Sequence, residues 1–332
     1  MAGSRSLKAG AILGLAALAA ALLAPILASE APWLARVRGG FCSPALVDYP
    51  GFAWAACAGG NSIDWRAPPL SEGVSILLDA PVPFGPEATN LDALLLSPGR
   101  EHYLGTDSLG RDVLSRVIHG FPVALVVGGL PTLISLLIGL LAGGAAGLAR
   151  HWMDLQLTRL MDLMACFPTL ILALALAAAA TRPGLGSLVA AIGLTRWSGI
   201  ARFFRSEVLR QKGLSYIDAA RALGAGRPRL IVRHLLPNSL GPILVTASFS
   251  VGHAILLESG MSFLGVGVPP GTASWGGILA EAQKQVTPAW WLVLFPSLAI
   301  YLTVLACNLL ADGLRESTDP RLSRLGTNQV GR

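Results

Sequence analysis

Very few residues in this chain are of a type and spacing to do chemistry. Four cysteines (Cys42, Cys57, Cys166, Cys307) and five histidines show no spacing typical of a metal site. The lysines are Lys8, Lys212 and Lys284, and none closes the Gly-x4-Gly-Lys-Ser/Thr loop that cradles nucleotide phosphates. Nothing resembles a nucleophile with its base. No catalytic residue, metal site or bound cofactor is therefore expected. Ionisable groups inside apolar runs are the remaining chemical candidates, because such groups relay protons or bind ions within a bilayer. They are sparse: His253 and Glu258 in one run, with Asp162 and Arg196 at the ends of two others. Glu258 suits a helix-packing or external-gate contact better than proton relay, and His253 reads as a satisfied polar side chain. That sparsity argues against a self-powered carrier. The polar stretch that stands out is Tyr216-Ile-Asp-Ala-Ala-Arg-Ala-Leu-Gly224, closed twelve residues later by Leu236-Pro237. Its chemistry is that of a docking helix.

The surrounding elements explain why a helix there matters. The chain is 53% hydrophobic and 13% charged, with a mean hydropathy of +0.60, which excludes an ordinary soluble domain. Five stretches read as membrane spans: Ala9–Ala28, Phe121–Leu148, Leu188–Ile200, Leu240–Leu257 and Trp290–Leu310. A sixth, Phe167–Ala180, is short and needs Leu160–Cys166 to reach across. The first run follows Arg5 and Lys8 like a secretory leader, yet its about 20 apolar residues exceed the usual h-region of roughly 7–15, so it reads as a retained anchor.

Between Arg202 and Asn238 there are eight basic residues (Arg202, Arg205, Arg210, Lys212, Arg221, Arg227, Arg229, Arg233) against two acids (Glu207, Asp218). Between Glu30 and Ile118 there are six basic residues against ten acids. The positive-inside rule puts the first segment in the cytoplasm and the second outside, with both termini inside. The net charge of +6 is thus topological, and no nucleic-acid partner is expected. The division expected is 1–29 for the tail and first span, 30–118 for an external loop, 119–315 for a five-helix core and 316–332 for a cytoplasmic tail. The core includes a cytoplasmic loop, 203–238.

Pro and Gly punctuate the external loop, which reads as irregular with at most short elements. Cys42 and Cys57 lie there with fourteen residues between them. On an oxidising face they are a disulfide candidate; two unpaired thiols are the other reading. At the end of the loop, Thr106 or Asp107 is placed to cap a helix, and Asp107/Arg111 and Asp112/Arg116 are acid-before-base pairs four apart. That pattern predicts an interfacial helix leading into the second span. In the docking stretch, Asp218 sits where the helix dipole favours an acid, Gly224 is placed for a left-handed terminus, and Pro237 opens the next segment. The arginines there suit acidic groups on a partner, or anionic lipid.

Asp218-Ala219-Ala220-x3-Gly224, followed by His234-Leu-Leu-Pro237, resembles the "EAA" loop of permease subunits in ATP-driven importers, with Asp218 where that family normally has Glu. Leu104-Gly-Thr-Asp-Ser-Leu-Gly-Arg-Asp-Val-Leu-Ser-Arg116 resembles the segment before the second span in the C-type permeases of dipeptide and oligopeptide importers, whose sister systems carry nickel complexes. The resemblance continues through Met153-Asp154, Arg159-Leu-Met-Asp162 and Phe167-Pro168, then Glu258 to Pro270 with Ser274-Trp-Gly276. It ends in Asn308-Leu-Leu-Ala-Asp-Gly-Leu-Arg315 and Asp319-Pro-Arg321. It covers about Glu101 to Arg321; the cysteine-bearing loop before it is longer than in typical members.

The resemblance implies an all-α membrane protein of the bacterial inner membrane: a type I importer transmembrane domain of six helices with an extended external loop after the first. It implies a second homologous permease, two ATPase subunits carrying ATP and Mg, a periplasmic substrate-binding protein and a peptide substrate, with the lipid bilayer as host. Asp218, Ala219, Ala220, Arg221, Gly224 and Pro237 would couple to the ATPases, while Glu258, Phe263, Pro269 and Pro270 would form an external gate or turn. The rival reading is a self-contained carrier or channel, with a membrane scaffold third.

Overall fold

A computed structural model describes residues 2–37, 40–46, 65, 74–269, 271–285 and 288–318. About 70% of the chain is helical. Helix α1 is Ala2–Leu27; α2, Val113–Leu148; α3, His151–Cys166; α4, Thr169–Ala178; α5, Leu185–Lys212. A run of short helices follows: α6 (Ser215–Ala222), α7 (Arg227–Leu230) and α8 (Leu236–Asn238). Then come α9 (Leu240–Phe263), α10 (Trp275–Ala282) and α11 (Trp291–Thr318).

Four of these are long and apolar enough to cross a bilayer: α1 from Ser6, α2, α9, and α11 as far as Ser317. The pair α3 and α4 is a fifth if counted as one span, but it bends by 88° at its break. Of the six spans expected, four, or five with the bent pair, therefore qualify by length and composition among the described residues. Two sequence features account for the difference. Pro168 has no N–H to continue the ladder and holds Phe167 extended, at φ −89° and ψ 132°, so the third expected span is broken there. The fourth, Leu188–Ile200, lies within α5, where Thr195, Arg196 and Ser198 make the helix too polar to qualify.

The expectation of an all-α chain is also corrected. Leu34–Val37 (β1), Gly40–Cys42 (β2) and Val74–Leu78 (β3) form a small antiparallel sheet in the order β2-β1-β3. In β1 the pattern Leu-Ala-Arg-Val alternates exposed and buried with the period of two that a half-covered strand needs. Ala35, Val37 and Cys42 make its inner face. Cys42 is disulfide-bonded and Cys166 and Cys307 are free thiols; Cys57 lies outside the described residues.

The chain gathers into two compact units. One comprises Val126–Met261 with the start of α1 and the end of α11; the other comprises Leu15–Leu125 and Ser262–Tyr301. In the first, α5 packs on α2 through glycines spaced four apart. A Cβ at Gly143 would stand 2.3 Å from the Ala201 carbonyl oxygen, and one at Gly147 would stand 2.5 Å from the Val208 side chain. Lipid offers apolar side chains little reason to leave it, so membrane helices associate where small residues let backbones approach. Bidentate Arg205–Asp154 contacts, both 2.6 Å, and a looser Arg202–Asp162 contact at 3.5 Å tie α5 to α3.

Candidate functional site

The Arg-rich loop is a folded hairpin with its own core. Helix α6 turns Ile217 and Ala220, three residues apart, inward against Phe204 and Val208 of α5, Leu230 of α7, Leu148, Leu235 and Ile243. Ile217 is fully buried, a contribution of about 1.5–3 kcal/mol for a side chain of this size. Asp218, Ala219, Ala222 and Leu223 are exposed. Asp218 lies in the first turn and pairs with Arg221 at 3.2 Å. A free amphipathic helix would have only lipid to hold it; this one is seated on protein.

Helix α6 ends in a Schellman turn. The Ala225 N–H donates to the Ala220 carbonyl, and the Gly224 N–H donates to the Arg221 carbonyl, which satisfies two of the last orphan acceptors. Closing that turn needs a left-handed residue, and Gly224 sits at φ +81°. Nothing lies within 4 Å of where its Cβ would be, so the demand for glycine is conformational rather than steric.

After Gly226 the chain runs through α7, a wide π turn at Ile231–Leu235, and α8. Pro237 lies at the start of α8, as expected, although α7, the π turn and α8 run on as one helical stretch. The wide turn ahead of it absorbs the missing N–H, with Leu236 N–H reaching back to Ile231 and the Asn238 side chain donating to the His234 carbonyl at 2.8 Å.

A buried hydrogen-bond network fixes the base of the hairpin. The Gln211 amide donates to Glu207 and to the Ser239 hydroxyl, each at 2.7 Å, and the Tyr216 hydroxyl donates back to Gln211. Ser239, fully buried, donates in turn to the Leu235 carbonyl at 2.8 Å. One side chain thereby joins α5, α6 and the foot of α9. The Arg210 guanidinium holds the Glu207 carboxyl below its ordinary range. This contribution is therefore complete above that range and is lost only as pH falls through the lowered value.

Sequence reasoning placed Asp218, Ala219, Ala220 and Arg221 on one docking face. The structure separates Ala220, which is buried in the hairpin core. It adds Leu223, 89% exposed, and Val232, 66% exposed, as large apolar side chains displayed by this loop. Leu223 stood within the motif itself, where sequence reasoning gave it no role.

The second unit holds a buried charge cluster that sequence reading sorted differently. Val113 opens α2 as one 36-residue helix, so the separate interfacial helix expected over this stretch is absent. Thr106 and Asp107 lie in the turn before it, and the cap is Asp112, whose carboxylate accepts from Ser115 N–H at 2.7 Å. Asp107 does pair with Arg111, Nε to Oδ2 at 2.7 Å, but within the turn. Its other cation is Arg116, at 2.6 Å; Asp112 pairs instead with His102 at 2.9 Å. Arg111 and Arg116 both reach Glu281 on α10 at 2.7 Å, and Arg111 reaches Glu87 at 3.1 Å. Gly110, at φ +71°, lets the turn press on Asn90, whose carbonyl oxygen would stand 1.7 Å from a Cβ.

Of the expected external residues, Glu258 is buried beside Ser259 in the first unit. Phe263 is exposed at the end of α9 and Pro269 half-buried; Pro270 lies outside the described residues. His253 is exposed and makes no hydrogen bond with a described residue, which corrects its reading as a satisfied side chain. No group of metal-ligating side chains occurs among the described residues.

The model of the family described as "Binding-protein-dependent transport system inner membrane component" matches residues 135–324, a stretch that takes in α5 to α11 and the whole hairpin. The chain belongs to that family. It is a permease subunit of an ABC transport system, a multi-pass inner-membrane protein. Among its relatives, the di/tripeptide transport system permease protein of Pseudomonas aeruginosa is 41% identical over 246 residues, covering 72% of this chain and 81% of the relative. The glutathione transport system permease protein of Pectobacterium atrosepticum is 39% identical over 231 residues, covering 70% of this permease and 76% of the relative. The dipeptide transport system permease protein of Alkalihalophilus pseudofirmus is 37% identical over 234 residues, covering 70% and 77%. The match thus spans the hairpin of this permease together with the charge cluster before α2.

Proposed function

We propose that this permease forms one half of a peptide path, the other half being a second homologous permease, and that two ATPase subunits drive it through the hairpin. The observation that carries the proposal is the double face of α6. Ile217 and Ala220 anchor it in a core shared with α5, while Asp218, Ala219, Ala222 and Leu223 are exposed on its outer face. The Gln211 network gives that helix a rigid connection to α5 and α9. A displacement of α6 is therefore passed to the spans instead of being lost in a soft loop.

In this reading the bilayer is crossed six times, by α1, α2, the bent α3–α4 pair, α5, α9 and α11. Both termini and the hairpin face the cytoplasm, where the excess of arginine belongs. ATP and Mg bind on the ATPase subunits, which do the hydrolysis; a periplasmic binding protein delivers the peptide. The polar α5 is covered where the two permeases meet, which explains why it alone fails as a lipid-facing span. Closure of the ATPases moves α6, and the path turns from inward-open to outward-open. The names of the relatives support a peptide as cargo. The decisive experiment is purification of the complex with its ATPases, followed by assay with the binding protein and peptide. Stimulated ATPase activity is expected, and transport of peptide without ATPase subunits would overturn the reading.

The face presented to the ATPase is testable by position. A cysteine at Ala219 is expected to crosslink to one in the ATPase cleft with a yield that changes with nucleotide. A cysteine at Ala220, buried in the hairpin core, is expected to crosslink poorly. Equal yields at the two positions would mean that α6 is not seated as described.

The bridge proposed between Cys42 and Cys57 closes a loop of about fifteen residues, removing on the order of 3 kcal/mol of unfolded-state freedom. Mass spectrometry of non-reduced peptides is expected to find the linked pair. Full alkylation of both thiols without reductant would refute it and count against an oxidising-side location for this loop.

A further inference from the structure

We infer that Arg196, with Arg202, forms an anion site at the break between α3 and α4 that takes the terminal carboxylate of a peptide in transit. The inference rests on the reading of this chain as a peptide permease and names a contact within it. A cavity of about 220 Å³ opens here, lined among others by Phe167, Thr169, Thr195, Arg196, Ser198 and Arg202. Whole-ligand pockets are usually about 300–1,000 Å³, so the space suits one end of a ligand rather than all of it.

Its charge is unbalanced. Arg202 has Asp162 at 3.5 Å, but the Arg196 Nε is buried with no hydrogen-bond partner, and no carboxylate among the described residues acts on this guanidinium. An arginine cannot discharge itself by losing its proton, and an unpaired charge within an apolar run, even towards its end, is costly enough to mark a functional position. Gly199, between the two arginines on α5, also lines the cavity, and a Cβ there would meet nothing within 4 Å. The space between the two stems is therefore open. On the other side, the bend at Pro168 starts α4 at Thr169, so the first turn of a ten-residue helix, with its unpaired N–H groups and positive dipole end, borders the same cavity. Two guanidiniums, a helix start and nearby hydroxyls suit a planar anion held by a bidentate fork. Phe167 supplies an apolar wall for the adjoining part of the ligand.

The test compares one peptide with its C-terminally amidated form, using the complete complex with its binding protein in proteoliposomes. Each variant is scored by its ratio of acid to amide transport, so that discrimination by the unchanged binding protein cancels. Arg196→Gln is expected to lower transport of the free acid roughly tenfold or more, the scale of a lost charge-assisted pair, while leaving the amide unchanged. Arg196→Lys is expected to restore part of the difference, and it decides the matter if Arg196→Gln does not assemble. An equal fall for acid and amide in both variants would overturn the inference and leave the peptide permease reading intact. No transport of either form by the wild-type complex would instead overturn that reading. The same ratios are expected in vesicles free of anionic lipid. A wild-type ratio that falls there to the Arg196→Gln value would show lipid phosphate to be the anion, and would overturn the inference.

Discussion

Replacing Asp107 with Asn is expected to cost about 3–5 kcal/mol of stability, the range for removing one partner from a buried ion pair. The substitution is selective. Asn retains an oxygen for the Leu109 and Arg111 N–H groups, so the turn keeps its backbone contacts. What is lost is the negative charge between Arg111 and Arg116, which are 7% and 3% exposed. Glu281 is then left, with only the more exposed Glu87 beside it, to balance two buried cations, and the clamp that joins the start of α2 to α10 is weakened. A large fall in melting temperature in detergent is expected, with reduced accumulation of the permease in membranes. Glu87→Gln provides the control: its carboxylate is well exposed, so losing its contact with Arg111 is expected to cost no more than about 1 kcal/mol. Similar melting of Asp107→Asn and wild type would mean that the cluster is solvated in the membrane-bound protein.

The second large effect is expected at Gly224, and it concerns coupling rather than stability. Valine at φ +81° carries a penalty of roughly 1–2 kcal/mol from its Cβ alone, and branching adds to it. With nothing within 4 Å of the added Cβ to hold it, the strain is expected to be relieved by unwinding the Schellman turn and re-aiming α6 and Leu223. Binding-protein-stimulated ATPase activity and peptide transport are expected to fall together, while membrane insertion and complex assembly persist. The series Gly224→Asn, Gly224→Ala, Gly224→Val should grade the loss, because Asn tolerates the left-handed region best and a β-branched residue least. Full stimulation in Gly224→Val would remove the rigid-lever account of the hairpin.

Much of the hairpin was legible because its signals are local. The acid at Asp218, the glycine at Gly224 and the small residues between them follow from helix termination and dipole rules that act within a few residues. Ala220 was misassigned because small side chains serve equally well at a core and at a close docking face, and only the inward turn of α6 distinguishes them. Leu223 was missed for the complementary reason, since an apolar residue at a helix end normally reports burial. Before α2, spacing put Asp112 with Arg116 and assumed a helix. The positive φ of Gly110, with its close approach to Asn90, makes a turn there instead and hands Arg116 to Asp107.

The sequence by itself determined that the chain is a membrane protein, where its apolar runs lie, which segment carries the excess of arginine and where the short helix α6 within it stops. Each is set by composition or by rules spanning one or two helical turns. Tertiary structure decided which charges pair, which face of α6 is exposed, how Gly143 and Gly147 seat α5 against α2, and that Arg196 has no hydrogen-bond partner among the described residues beside a broken helix. Those outcomes depend on residues far apart in the chain, such as Arg116 and Glu281 or Gln211 and Ser239, and in a low-dielectric interior the geometry of the pair sets the energy.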